Sequence, residues 1–287
     1  MAHLCSTFQK MGTTELISSS GGNAGLAVAT VGARLGLGVS VIVPETTKPL
    51  VIAKLESLGA RVTIHGKNWN AADALARERV DAKPDEAKYV SPYDNPLLWT
   101  GHSTIVDEIA NQLEEEEHGL LPGAIVVSVG GGGLLCGVLE GCARRKLSTK
   151  VIASETYGAS CFLQSWEAED GEPVTLSGID SIATSLGATS CTPVALERAR
   201  SHKHNGDFVA TACTDEEAID ACVRFARDHR MLVEPACGAA LAVAYSKRLR
   251  EAYLQDVDGP IILEVCGGSG VDIDLLHGWK KEFLPSS

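Results

Sequence analysis

An α/β fold with mostly parallel sheets is what this sequence predicts, on three observations. Short apolar runs alternate with amphipathic or alanine-rich segments from residue 15 onward. Residues 39–43, 125–129 and 261–265 are almost wholly apolar, as strands covered by helices on both faces must be. Glycine-rich turns at 21–25, 130–133 and 267–270 follow three of the runs. Ligands of open α/β sheets bind beyond the carboxyl ends of the strands, so these turns predict one shared cleft.

In chain order, the first ten residues carry no strong signal. Residues 15–20 read as a strand that stops at Gly21 and Gly22, and an alanine-rich helix follows over about 24–35. Residues 39–43 form a short buried strand ended by Pro44. Residues 50–58 form an amphipathic helix that stops at Gly59, a helix C-terminal signal. Residues 61–64 read as a strand and 71–80 as an exposed helix with its charges on one side. The alternation continues through 89–91, 104–113, 125–129 and 151–155. Thr214-Asp215-Glu216-Glu217 is a capping box, with Thr214 as N-cap and Glu217 reaching back to it, and the helix it opens runs through Arg227. Residues 234–249 read as one more helix, in which Gly238 permits close packing. A buried strand at 261–265 and a helix at 272–283 close the chain.

Composition sets limits on function. The 287 residues, 45% hydrophobic and 22% charged, describe an ordinary globular protein with a sizeable core. A net charge of -12 excludes a general nucleic-acid surface and an anionic-membrane surface as partners. The run Glu114-Glu115-Glu116-Glu117 reads as a solvated helix end. No apolar run reaches transmembrane length, and the first residues have no signal-peptide pattern, so the expected location is the cytoplasm. Nine cysteines without a C-x-x-C pair predict reduced thiols rather than a disulfide framework or a zinc site. Cys136, Cys142, Cys213, Cys222 and Cys237 read as buried and unreactive. His65, His102 and His118 show no ligand spacing and read as structural or solvated.

The central stretch is Ser128-Val129-Gly130-Gly131-Gly132-Gly133-Leu134-Leu135-Cys136-Gly137, between a buried strand and a helix start. Four glycines leave no Cβ to hold a ligand off the backbone, and N–H groups at a helix N-terminus suit a phosphate. No Gly-Lys-Ser/Thr follows and the G-x-G-x-x-G spacing is absent, so the phosphate belongs to neither a P-loop nucleotide nor a dinucleotide. A close-packed turn with no ligand is the plainer alternative. Ser19-Ser20-Gly21-Gly22-Asn23-Ala24-Gly25 forms a second strand-to-helix turn rich in donors. Glu155 follows an apolar strand, where it serves either the cleft, a structural hydrogen bond or the surface. Cys266, beside Gly267, reads alone as a buried cysteine at a tight turn.

Taken together, the motifs carry a resemblance. The Ser19–Gly25 turn, the 128–137 turn, Ser154-Glu155-Thr156-Tyr157-Gly158-Ala159, Glu234-Pro235-Ala236-Cys237-Gly238-Ala239-Ala240 and Val265-Cys266-Gly267-Gly268-Ser269 occur in that order. They resemble the serine/threonine dehydratases, pyridoxal-phosphate (PLP) enzymes of fold type II, over essentially the whole chain. The resemblance implies a tryptophan-synthase-β-like fold of two α/β domains: a small substrate-loop domain at 1–96 and a large phosphate-binding domain at 97–287. It implies that Gly130, Gly131, Gly132, Gly133 and Leu134 hold the phosphate of pyridoxal 5'-phosphate through backbone N–H groups. Asn23 would hydrogen-bond the phenolic oxygen of the ring. Ser19, Ser20, Gly21, Asn23 and Ala24 would bind the carboxylate of a small amino-acid substrate. Cys266 would face the pyridine nitrogen, and Gly130, Glu155, Ala159, Cys161 and Leu186 would match a monovalent-cation (K+) site.

The implied activity is an L-serine and L-threonine ammonia-lyase that gives pyruvate or 2-oxobutyrate plus ammonia, in a homodimer. A thiol at 266, with an ordinary pKa of roughly 8.5, cannot keep the ring nitrogen protonated as an aspartate would. Loss of the α-proton is then coupled to departure of the β-hydroxyl. The family also carries a Schiff-base lysine in a Ser-Phe-Lys-x-Arg-Gly motif a little over twenty residues before the serine-rich loop. The catalytic lysine is not present in this chain, and Lys10 lies too close to the loop to replace it. Without a tether and proton-transfer base, turnover is expected to be impaired. That expectation opens the alternative of a non-catalytic truncated subunit or pseudoenzyme that pairs with a full-length relative. Gly21, where relatives commonly carry Ala or Ser, cannot act as an acid on the opposite ring face and argues against racemisation. A sulfhydrylase is disfavoured because such relatives usually place Ser where Cys266 stands.

Overall fold

The computed structural model describes residues 1–116, 119–169 and 171–284, and the chain divides into two units, Met1–Gly101 and His102–Ser287. The first unit begins with α1 (Ala2–Lys10), which buries Leu4, Cys5 and Phe8. It continues through β1 (Glu15–Ser18), α2 (Asn23–Leu35), β2 (Gly38–Val43), α3 (Pro49–Ser57), β3 (Arg61–Ile64), α4 (Trp69–Asp81) and β4 (Ala87–Tyr89). The strands form one sheet in the order β3-β2-β1-β4, with every pairing parallel. Leu16, Val28, Ala29, Val41, Val43 and Leu55 pack into one core cluster with the apolar side of α1. Gly32 makes the seat of α2 possible, because a Cβ there would lie 2.2 Å from Val39 Cγ2 of β2.

The division between the units falls within α5 (Pro96–Glu116), whose described end, Glu114 to Glu116, is exposed as expected of a solvated acidic run. Glu117 and His118 lie outside the described residues. The second unit runs through β5 (Ala124–Ser128), α6 (Gly133–Arg145), β6 (Lys150–Thr156), α7 (Cys161–Glu167), a single 3-10 turn at Thr184–Leu186, and α8 (Pro193–Asn205). Then come β7 (Phe208–Cys213), α9 (Asp215–His229), α10 (Pro235–Tyr245), α11 (Lys247–Tyr253), β8 (Ile261–Leu263) and α12 (Ile273–Phe283). Its sheet is also parallel throughout, in the order β7-β6-β5-β8. Every residue of the interior strand β5 is buried. The predicted α/β architecture with parallel sheets is therefore what the chain adopts.

One feature of the second unit corrects the sequence reading. The helix expected over 234–249 is two helices, broken at Ser246, which has extended backbone (ψ 127°). The Ser246 hydroxyl accepts the Leu249 N–H at 3.5 Å to cap α11 and donates to Glu217 Oε1 at 2.7 Å. Gly238 does serve close packing, since a Cβ there would lie 2.3 Å from the Ala218 carbonyl oxygen of α9. The capping box forms as expected: the Glu217 N–H donates to Thr214 Oγ1 at 3.2 Å and the Thr214 N–H to Glu217 Oε2 at 3.1 Å. The cysteines read as buried are buried, and burial pushes the thiols of Cys142 and Cys222 up to about 12. Among the described residues no helix is long and apolar enough to cross a membrane.

Candidate active site

In the second unit the candidate residues lie at the carboxyl ends of β5 and β8, and in the first unit at that of β1. Beyond β5 the Val129 N–H still bonds the Ser154 carbonyl at 3.0 Å, and the chain then turns through Gly130 to Gly132 into α6. Gly132 is the N-cap of α6 with φ +89°, a left-handed backbone that side-chain-bearing residues rarely adopt. A Cβ on Gly132 would lie 2.8 Å from Ala195 Cβ, and one on Gly130 would lie 3.2 Å from Leu186 Cα. Gly132 is thus required by packing as well as by turn geometry. No side chain caps α6, so the N–H groups of its first turn remain for another acceptor. Thr192, whose N–H donates to the Gly131 carbonyl at 3.0 Å, is buried beside this turn with a hydroxyl that has no hydrogen-bond partner.

At the end of β8 the Glu264 N–H donates to the Val126 carbonyl at 2.9 Å, extending the ladder by one residue. Cys266 follows and is exposed, unlike the other eight cysteines. Crowding on its packed side, and then the Glu264 carboxylate, push its thiol above the ordinary range. The thiol donates to both Glu264 oxygens, at 3.2 and 3.3 Å. The turn after it is fixed by Glu234, the N-cap of α10. Its N–H donates to the Gly267 carbonyl at 3.0 Å, and its Oε1 accepts the Gly270 N–H at 2.6 Å. The Ser185 hydroxyl donates to Glu234 Oε2. Since Ser185 and Leu186 belong to the same 3-10 turn, Glu234 ties the Cys266 turn to the segment that backs Gly130. Two of the three glycine turns are therefore brought together within the second unit.

The residues expected to hold a cation also gather there. The Cys161 thiol donates to the Gly130 carbonyl at 3.5 Å, while Leu186 abuts Gly130. Ala159 bridges back to Thr156. Glu155 is 1% exposed and accepts the N–H groups of Phe162 at 3.0 Å and Leu163 at 2.6 Å. Burial pushes its carboxyl up to about 8 in spite of those two bonds. Of the readings open for Glu155, the surface one falls, and the structural acceptor is the one its hydrogen bonds describe.

In the first unit, β1 ends at Ser18 and α2 starts at Asn23 with Gly22 as N-cap, again without a side-chain cap. Ser20 Oγ accepts the Gly22 N–H at 3.3 Å, and Ser20 presses its carbonyl against Gly25, where a Cβ would lie 1.8 Å away. The space beside Gly21 is tight, with Val43 Cγ1 at 3.3 Å from a would-be Cβ. Gly22 and Asn23 are exposed and Ala24 half-buried. Ser19 is fully buried and its hydroxyl is committed: it donates to Asp73 Oδ1 at 2.8 Å and meets Tyr89 Oη at 2.9 Å. Tyr89 also donates to Asp73, and Arg77 Nε donates to Asp73 Oδ2 at 2.8 Å. Burial pushes the Asp73 carboxyl up, but its bonds from Tyr89, Arg77 and Ser19 hold it below the ordinary value. What Ser19 offers a ligand is therefore backbone.

The sequence reading gave no role to Asp73, Tyr89, Ser185, Thr192, Glu234 or Glu264. For Glu264 a signal existed, a lone acid inside the apolar run 261–265. Glu234 lay in a quoted motif, but its contacts come from chain more than thirty residues away, and nothing local announces them.

Comparison with known proteins shows the family. A family described as "Pyridoxal-phosphate dependent enzyme" matches residues 1–267. A Saccharomyces cerevisiae protein named L-serine dehydratase is 41% identical over 268 residues, 90% of this chain and 78% of its own length. A human protein named serine dehydratase-like is 40% identical over 285 residues, 98% of this chain and 83% of its own. Among solved structures, a fungal L-serine ammonia-lyase from Rhizomucor miehei superposes with a TM-score of 0.85 at 33% identity, covering 98% of this chain and 87% of that one. The chain belongs to the pyridoxal-phosphate-dependent enzyme family.

Proposed function

We propose that this chain carries the binding machinery of an L-serine ammonia-lyase that also takes L-threonine and releases pyruvate or 2-oxobutyrate with ammonia. The single observation behind this reading is the uncapped N-terminus of α6, entered through a left-handed glycine and tied through Ser185 and Glu234 to the Cys266 turn. Those groups fit the cofactor: free N–H donors and a buried, unpartnered Thr192 hydroxyl suit a phosphate. An exposed thiol suits a ring nitrogen that is to stay weakly basic.

When bound, PLP supplies the electron sink that makes the α-proton of an amino acid removable. The chain's own residues hold and orient. Gly130 to Gly133 and Leu134 would grip the phosphate through N–H groups at the positive end of α6. Asn23 would face the phenolic oxygen, while Ser20, Gly21 and Ala24, with the backbone of Ser19, would take the substrate carboxylate. Cys266 would lie against the pyridine nitrogen. We further propose a monovalent cation, K+, at Gly130, Ala159, Cys161 and Leu186 beside Glu155, whose buried carboxylate a cation would neutralise. A homodimer in the cytoplasm completes the reading.

None of residues 1–287 matches the lysine segment that the resemblance places upstream, so the assay compares two proteins. The 287-residue chain is expected to bind PLP, seen as quenching of its tryptophan fluorescence, and to turn over serine slowly. A version extended by a Ser-Phe-Lys-x-Arg-Gly segment is expected to release pyruvate from serine. An extended protein that binds PLP and yields no keto acid from either amino acid would refute the assignment.

A further inference from the structure

We propose that Glu264 is a positioning residue for the reaction above: it holds the Cys266 thiol proton and so decides whether the sulfur accepts from, or donates to, the pyridine nitrogen. This rests on the reading that Cys266 faces that nitrogen. Strand periodicity is the first argument. Residues two apart on extended backbone share a face, and the Glu264 N–H bond to the Val126 carbonyl carries the ladder one residue past β8. The carboxyl therefore stands directly behind the thiol, with both oxygens within 3.3 Å of Sγ.

The second argument is cost. Glu264 is 9% exposed, in a run otherwise made of Ile261, Ile262, Leu263 and Val265. Among the described residues it forms no ion pair, and the Cys266 thiol is its hydrogen-bond donor. A buried carboxylate with so weak a donor is expensive, and burial accordingly raises its proton affinity. The groups facing the pair add no positive charge. From the start of α10 they are Glu234 and Cys237, and the Cys237 thiol already donates to the Gly267 carbonyl at 3.4 Å. A single proton on the pair sits on Cys266 Sγ and is donated to the Glu264 carboxylate, and uptake of a second proton from solvent makes Glu264 a carboxylic acid. With Glu264 ionised, the S–H points back and the sulfur offers lone pairs outward. With Glu264 protonated, its O–H donates to sulfur and the S–H turns outward as a donor. The carboxyl gives the thiol a two-state character that a thiol in an apolar strand would lack.

The test follows carbamidomethylation of Cys266 by iodoacetamide, read on its own peptide by mass spectrometry, with and without PLP. It uses the 287-residue chain and its Glu264→Gln and Glu264→Leu variants, from neutral to alkaline pH. Removing the negative neighbour should lower the thiol's proton affinity. One pK unit of that change means about tenfold faster labelling at pH values below the thiol's midpoint. Both variants are expected to label faster than wild type, and PLP is expected to protect Cys266. Identical pH–rate profiles in wild type and Glu264→Gln would overturn the role of Glu264 while leaving the ring placement to the protection measurement. Faster labelling without protection would overturn the ring placement and, with it, the proposal. Should the variants not fold, an ordinary wild-type midpoint of roughly 8.5 overturns the coupling.

Discussion

Replacing Gly132 by alanine isolates what the phosphate turn demands of the backbone. Its φ of +89° is outside the region open to residues with a Cβ, a strain of about 1–2 kcal/mol. The new methyl would also sit 2.8 Å from Ala195 Cβ, tighter than atoms tolerate. Relief requires α8 or the turn to shift, an overpacking cost of about 1–3 kcal/mol. Gly132→Ala should therefore destabilise the second unit by about 2–5 kcal/mol. Gly119→Ala is the control: it has φ +84° but nothing within 4 Å, so it carries the strain alone, about 1–2 kcal/mol. Urea unfolding followed by circular dichroism gives both values, and PLP titration of the folded fraction should show weaker binding in Gly132→Ala only. If Gly132→Ala costs no more than Gly119→Ala, the packing argument is wrong. If it leaves PLP affinity unchanged, this turn does not hold the phosphate.

Two further substitutions probe one unit each. Burial pushes the Glu217 carboxyl up, but the Arg248 and Ser246 bonds, the Thr214 N–H and the Arg248 charge carry it below its ordinary value. A carboxyl depressed by folding stabilises above its unfolded pKa and loses that stabilisation as pH falls through the folded one. Glu217→Gln should cost about 1–2 kcal/mol at neutral pH, with the gap to wild type closing in acid; a gap independent of pH would contradict this. In the first unit, Asp73→Asn removes the negative charge that Ser19, Tyr89 and Arg77 face and leaves one accepting oxygen in place of two. The Tyr89 hydroxyl, raised first by burial and then by Asp73, should titrate closer to the ordinary tyrosine value, as seen in tyrosinate absorbance at alkaline pH. An unchanged titration difference between variant and wild type would show that Asp73 does not set it.

What was legible in the sequence was what local physics controls. The run at Ala124–Ser128 is apolar on both faces because β5 lies inside a covered parallel sheet. The capping box could be read because four adjacent residues make it. Failures came where a partner lies far along the chain or a helix is short or polar. The stripe Leu4, Cys5, Phe8 of α1 has helical spacing, but no side-chain cap announces it. Seven-residue α7 and the polar α8, with His202, Lys203 and His204 in its last turn, give weak periodicity, and neither they nor β7 were recognised. The break at Ser246 was missed because its cause, Glu217, belongs to another helix. At the candidate site, the glycine turns and Cys266 were visible as motifs. The carboxylates that fix and back them, Glu234 and Glu264, were not, because their roles depend on tertiary neighbours.

The parallel pairing of β5 with β8 has a consequence for biosynthesis. Ala124 finds its partner Ile261 only once the chain through residue 261 has left the ribosome. Until then one flank of the strand leading to the glycine turn is an open row of amides and carbonyls, a template for wrong pairing. Docking of the last strand closes that flank and sets Glu264 and Cys266 in place in the same event. A nascent chain arrested before Ile261 should therefore show the protease sensitivity and chaperone dependence of an unfinished sheet, and release of the final segment should abolish both.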